Sequence, residues 1–324
     1  MSQQLEVILY GLGAIGSFYA FILSRCKGVR LTVVARSNFD AVSVNGLKII
    51  SQNHGEHVVR PYKVVRTPAE ADLKFDYIVR AHKAIDQDTV PEQLKPVVAE
   101  KTTIVLIQNG VGNEDPFRAA FPQCTILSCV TWVGAIQHSP GIINHTKSED
   151  MQIGLFPSPD IDHTIEKQKL DGFVSLLTEG QTVFQVVENI QIQRWEKVVW
   201  NAAWNSITTL TMLDTQMWLK SSSNAMPMTR RLMAEVIDVA QKCGVPIEYE
   251  LIDRLIDKIL DMPGIGSSMR TDCKNGKPLE LEVILGTPVR KGREHNVSIP
   301  TLEAIYTLLL GVNRRLESAR SASP

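Results

Sequence analysis

Two patterns of hydrophobic positions divide this chain. Up to about residue 185, short β-branched and apolar runs alternate with longer stretches of helical character: Val7 to Tyr10, Leu31 to Ala35, Tyr77 to Ala81, Thr103 to Ile107 and Thr125 to Val130. That alternation predicts βαβ units and a parallel sheet. Beyond about residue 188 the strand signals stop, and segments 226–243, 247–261 and 300–317 repeat with the helical period. Cys243-Gly244-Val245-Pro246 and Met262-Pro263-Gly264 place Gly or Pro where a helix must end. No internal repeat is visible, and low complexity is confined to the tail Ser318 to Pro324. The expected architecture is α/β, with a sheet domain over 1–187 and an all-helical domain over 188–324.

Composition narrows the function class. A chain of 324 residues, 44% of them hydrophobic, is long enough to bury the cores of two domains. Its 34 basic residues against 35 acidic ones leave no field that would draw nucleic acid or an anionic membrane, so a small molecule is the expected partner. The start, MSQQLEVILYGLG, lacks the basic-then-apolar order of a signal peptide. No later apolar run approaches the roughly 18 residues of a membrane span. A cytoplasmic protein is expected, and a homodimer is compatible with a sequence that does not fix oligomeric state. The five cysteines, Cys26, Cys124, Cys129, Cys243 and Cys273, show no paired spacing and are expected as free thiols. His54 and His57 have a spacing a metal would accept but no third ligand nearby, so no metal site is expected. The sequons at Asn144 and Asn296 would matter only in a secreted chain.

The strand Val7 to Tyr10 runs into Gly11-Leu12-Gly13-Ala14-Ile15-Gly16 and then an apolar helical run, Phe18 to Leu23. This is the strand, glycine turn and helix of a Rossmann-type dinucleotide-binding domain. Gly11 makes the turn, Gly13 lets a pyrophosphate approach the backbone, and Gly16 lets helix and strand pack closely. The phosphates would then meet the positive end of the helix dipole. A glycine turn alone also occurs in α/β proteins that bind no nucleotide; the complete βαβ context decides for the cofactor. About 20 residues further on, where an acid would bind the ribose of NAD, the second strand ends in Arg36-Ser37. A guanidinium and a hydroxyl suit a 2′-phosphate, which points to NADP (NADPH) unless Arg36 is simply solvated. Lys83 and Asn109 follow later strands, where open parallel sheets bind ligands, and are candidates for the nicotinamide half or the substrate.

The segment from Trp195 to Asn205 sets Lys197, Asn201 and Asn205 four residues apart on one helix face, amid Val, Ala and Trp. A helix apolar around most of its circumference is buried, so this row must find polar partners inside the protein; periodicity alone also permits it to be the solvent-facing stripe. A lysine so placed supplies what hydride transfer to a ketone needs. Negative charge grows on the carbonyl oxygen, and a cation that can release a proton stabilises it. Arginine would hold its proton too tightly.

These pieces, in order, resemble the ketopantoate reductase (2-dehydropantoate 2-reductase) family: GLGAIG at 11–16, HKA at 82–84, QNGVGNED at 108–115, KVVWNAAWN at 197–205, SSM at 267–269 and LELEVILG at 279–286. The resemblance implies an oxidoreductase that reduces ketopantoate to pantoate with NADPH, a step of pantothenate biosynthesis. It implies Lys197 as general acid, with Glu280 hydrogen-bonded to the substrate hydroxyl and balancing the lysine's charge. Asn201, Asn205 and Asn109 would orient substrate or cofactor, and Ser268 would help bind the substrate carboxylate. Trp200 and Trp204 stand where the family usually has smaller aliphatic residues, and Leu279 where it commonly has a polar one. These changes leave the catalytic groups intact and alter the shape of the pocket that selects the 2-oxo acid. The alternatives are a reductase of another branched or bulkier 2-oxo acid, and a non-catalytic NADP-binding regulatory protein on the same scaffold.

Overall fold

The computed structural model describes residues 4–321, so the low-complexity tail is described only as far as Ser321. The chain forms two compact units. One runs up to Gln108 and resumes over Asn113–Ile190; the other joins the four residues Asn109–Gly112 to the chain from Gln191 onward.

The described strands, in chain order, are β1 (Leu5–Tyr10), β2 (Val29–Val34), β3 (Leu47–Ser51), β4 (Gly55–Val59), β5 (Lys63–Val65), β6 (Tyr77–Arg80), β7 (Thr103–Ile107), β8 (Thr125–Thr131), β9 (Ala135–Ser139), β10 (Ile142–His145), β11 (Met151–Phe156) and β12 (Gln185–Val186). Eight of them make one sheet in the order β12-β11-β8-β7-β6-β1-β2-β5. Pairing is parallel from β8 through β5, while β11 runs antiparallel to β8. All five expected strands lie in this sheet. Alternation along β1 explains why it is covered on both faces. Val7 and Leu9 join one core with Phe18 of α1 (Ala14–Ser24), while Ile8 and Tyr10 join another with Val90 of the helix Val90–Leu94 and Phe117 of Asp115–Ala120.

A second sheet, β4-β3-β10-β9, was not expected from the sequence. It is built from two hairpins, β3 with β4 and β9 with β10, and its Leu47, Ile49 and Ile143 share the core of Phe18 and Phe21. His54 lies in the β3–β4 turn, where Nε2 meets Glu149 at 2.9 Å, and His57 lies on β4. No group of three or more metal-ligating side chains occurs among the described residues.

The second unit is helical, as expected. Its helices include Ile190–Thr211, Thr215–Leu219, Ala225–Lys242, Glu250–Leu260, Ser268–Lys274, Thr287–Glu294 and Pro300–Ser321. Apolar stripes hold them together: Leu232, Val236 and Val239 on one helix, Leu251, Leu255 and Ile259 on the next. The buried carboxylate of Glu235 accepts from the backbone N–H groups of Thr301 and Leu302 at 3.1 and 2.7 Å, satisfying the first turn of the last helix. Among the described residues no helix is long and apolar enough to cross a membrane.

Candidate active site

The glycine turn stands at the carboxyl end of β1, against the N-terminus of α1. Gly11 has φ +108°, and a Cβ there would overlap the backbone and Cβ of His82. A Cβ on Gly16 would overlap the Gly11 carbonyl oxygen. These two glycines are therefore required by the protein's own packing. Gly13 differs, because a Cβ there would meet nothing within 4 Å. The space above it is open, on the side where the first turn of α1 carries no acidic residue and no side-chain cap. Open backbone N–H groups with no competing carboxylate fit a dinucleotide pyrophosphate. Asn38 anchors the turn by donating from Nδ2 to the Leu12 carbonyl; Leu12 is buried, while Ala14 and Ile15 begin the helix partly exposed.

Arg36 is exposed just beyond β2, and its positive charge is felt by His82. The nearest carboxylate along the chain, Asp40, pairs with Arg66 at 2.8 Å and so does not neutralise Arg36. That leaves a cation for a phosphate. Lys83 is exposed in the loop after β6.

Beside these stand two groups to which the sequence pattern gave no role, Arg80 and His82. Arg80 ends β6 fully buried, its guanidinium over the Phe117 ring at 4.2 Å. It donates from Nη2 to His82 Nε2 at 3.0 Å and to Gln87 Oε1 at 2.8 Å, while Nε and Nη1 have no partner. Burial, reinforced by Arg80, pushes the His82 imidazole down to about 3, so it stays neutral and accepts that bond.

In the helical unit the polar row is largely buried. Asn201 and Asn205 are 5% and 4% exposed, which excludes the solvent-facing stripe. The Nδ2 of Asn201 and the Nε1 of Trp204 are buried donors with no partner, on the same helix face as Lys197. Unpaired buried donors cost free energy, and a bound ligand would relieve them. Lys197 is partly exposed as a residue, yet its ammonium is buried. Burial first, then the charges of Arg194 and Lys258, bring it down to about 7 against the opposing pull of Glu280. Glu280 is 9% exposed, and immediately after it the chain widens into a π-helical turn, Glu282–Gly286. Ser268 is exposed at the start of its helix, whose cap is Ser267: its Oγ accepts from the Arg270 N–H at 3.0 Å and lies 2.8 Å from Thr208 Oγ1.

Asn109 belongs to the short loop Asn109–Gly112 that this unit includes. The Val111 N–H donates to the Val283 carbonyl at 2.9 Å, and the Gly110 carbonyl accepts from Arg194 Nη1 at 2.8 Å. Arg194 is a functional candidate that hydrophobic pattern and motif did not bring out. Its signal was the three-residue spacing from Lys197, which puts both cations on one helix face.

A glycine turn between a parallel sheet and a helix defines a Rossmann-type nucleotide-binding domain, here followed by a helical unit carrying a buried lysine. The sequence profile described as ketopantoate reductase PanE/ApbA matches residues 7–158, and its C-terminal counterpart matches 189–313. The chain belongs to the ketopantoate reductase family. It is 33% identical to the 2-dehydropantoate 2-reductase from Methylococcus capsulatus, with a TM-score of 0.85 over 96% of this chain and 98% of that one. It is 25% identical to the 2-dehydropantoate 2-reductase of Nostoc sp., over 94% of each chain. A ternary structure of D-mandelate dehydrogenase with NADH and anilino(oxo)acetate shares the fold at TM-score 0.85 and 20% identity, over 97% of this chain and 99% of that one.

Proposed function

We propose that the protein is a cytoplasmic NADPH-dependent reductase of 2-dehydropantoate, producing pantoate. The observation that carries this reading is the Lys197 ammonium, held deep in the helical unit and brought down to about 7. A proton donor works best when its pKa is close to the operating pH. Gly11, Leu12, Gly13, Ala14, Ile15 and Gly16 would hold the pyrophosphate, Arg36 the 2′-phosphate, and Lys83 and Asn109 the nicotinamide half. Bound there, NADPH supplies the hydride that reaches C2 of the substrate.

The protein's own residues do the rest. Lys197 stabilises the negative charge growing on the carbonyl oxygen and gives up its proton to it. Asn201 Nδ2, buried without a partner, is available as a donor to substrate oxygen. Asn205 orients the substrate from one turn further along, Ser268 binds its carboxylate, and Glu280 accepts from its hydroxyl. Trp200 and Trp204, their ring centroids 6.0 Å apart and edge to face, add aromatic surface beside the lysine and so favour a second reading in which the substrate is a 2-oxo acid with an aryl group. D-mandelate dehydrogenase shows that this fold holds such a ligand.

The test is oxidation of NADPH, followed by its absorbance, with ketopantoate and with phenylglyoxylate side by side. Faster turnover of ketopantoate supports the first reading and faster turnover of phenylglyoxylate the second. Turnover of neither, with tight NADPH binding, removes both and leaves a binding protein.

A further inference from the structure

Arg194 is 1% exposed, among the largest side chains buried so completely. A buried guanidinium is costly unless its surroundings use it. Its Nη1 donates to the Gly110 carbonyl at 2.8 Å. Gly110 has φ +94°, and a Cβ on it would overlap Val283. The next residue, Val111, is bonded through its N–H to the Val283 carbonyl, inside the π-helical turn that follows Glu280. π-turns within helices recur at functional sites. The loop bearing Asn109 is thus held from two sides, by Arg194 and by the turn next to Glu280. Arg194 also lies one helical turn before Lys197, and the charged groups acting on the lysine are Arg194 on its own helix, Lys258 on Glu250–Leu260 and Glu280.

We propose that Arg194 is a positioning residue that clamps the Asn109 loop to the lysine-bearing helix and sets the electrostatic surroundings in which Lys197 donates its proton. The proposal rests on Lys197 being the general acid. The two duties separate chemically. The hydrogen bond fixes the loop, whereas the charge disfavours a second cation close by and so keeps the lysine ready to release its proton.

Two substitutions divide these duties. Arg194→Lys keeps the charge and loses the planar fork that reaches Gly110; Arg194→Met loses both. Amide hydrogen exchange at Val111, which needs no turnover, reports the clamp. It is expected to quicken about tenfold or more in both variants, the loss of one charge-assisted hydrogen bond. The pH profile of kcat/KM reports the charge. Its alkaline fall should stay in place in Arg194→Lys and move upward by about one pH unit in Arg194→Met, a shift that mere loosening would not produce. An unchanged profile in Arg194→Met together with unchanged Val111 exchange overturns the proposal. Lys197→Ala, assayed alongside, separates this from failure of the functional reading. If that variant turns over normally, Lys197 is not the acid and both fall; if it collapses while Arg194→Met behaves as wild type, only the role of Arg194 falls.

Discussion

Replacing Lys197 by methionine should cost activity and add stability, and the two effects have one cause. Methionine keeps the unbranched shape and removes the ammonium. Loss of a general acid lowers kcat/KM by about two to four powers of ten, or about 3–5 kcal/mol of transition-state stabilisation. On the folding side, desolvation and Arg194 oppose the lysine's charge and outweigh Glu280, bringing it from 10.5 to about 7. At about 1.4 kcal/mol per pKa unit the upper bound on that cost is about 5 kcal/mol. The sign follows from proton counting. The folded value lies below the unfolded one, so between about 7 and 10.5 the unfolded chain holds the extra proton and wild-type stability rises with pH. Below about 7 the cost is present in full. Urea unfolding at about pH 6 should therefore find Lys197→Met the more stable protein, and at about pH 10 the gap should close. A stability difference that is the same at both pH values would refute the burial argument, and retained turnover would refute the catalytic one.

Other consequences are as specific. Gly16→Ala, whose methyl would overlap the Gly11 carbonyl, should weaken NADPH binding at least about tenfold in a fluorescence titration and lower the melting temperature. Gly13→Ala meets no protein atom, so its melting temperature should hold while NADPH binding falls. Arg36→Glu places a carboxylate where the 2′-phosphate would sit and should shift the ratio of NADPH to NADH efficiency by about 10–100-fold toward NADH in paired kinetics. Arg80→Met removes a buried cation with two unpartnered nitrogens, so equilibrium unfolding should show little loss of stability. The same change should move the NMR titration of His82 upward from about 3, since Arg80 is the second cause of its depression after burial.

What the sequence disclosed, and what it hid, follow from the range of the forces involved. β-branched runs such as Thr103 to Ile107 are buried on both faces, so their pattern is local and plain. The β3–β4 and β9–β10 hairpins were hidden because they are short and half exposed: Glu56, Val58 and Ile136 face outward, leaving no continuous apolar run. The row Lys197, Asn201 and Asn205 was legible because helical spacing fixes which side chains share a face. Its burial was not, since a polar stripe reads the same wet or dry. Glu280 and Ser268 came only through family resemblance: a glutamate just before a helical stretch and a serine near a turn are ordinarily solvated or capping. The loop Asn109–Gly112 could not be assigned to the helical unit from a linear pattern, because its ties to Arg194 and Val283 are tertiary.

The charges around Lys197 also say when it should carry its proton. Two cations, Arg194 and Lys258, and one carboxylate, Glu280, act on it, an excess of positive charge that an anion would relieve. On the proposed reading the substrate is a 2-oxo acid, and its carboxylate brings that anion. A negative charge arriving near the ammonium favours the charged form and raises its pKa above about 7. At about pH 8 the unloaded lysine is mostly neutral, so substrate binding should draw in close to one proton per site. Titration calorimetry of ketopantoate into protein saturated with oxidised cofactor, where no turnover occurs, measures this through the dependence of the heat on the ionisation enthalpy of the buffer. Wild type should show the dependence and Lys197→Met should not. If wild type binds with no buffer dependence, the substrate carboxylate does not act on Lys197, and the lysine must be protonated by some other route before hydride arrives.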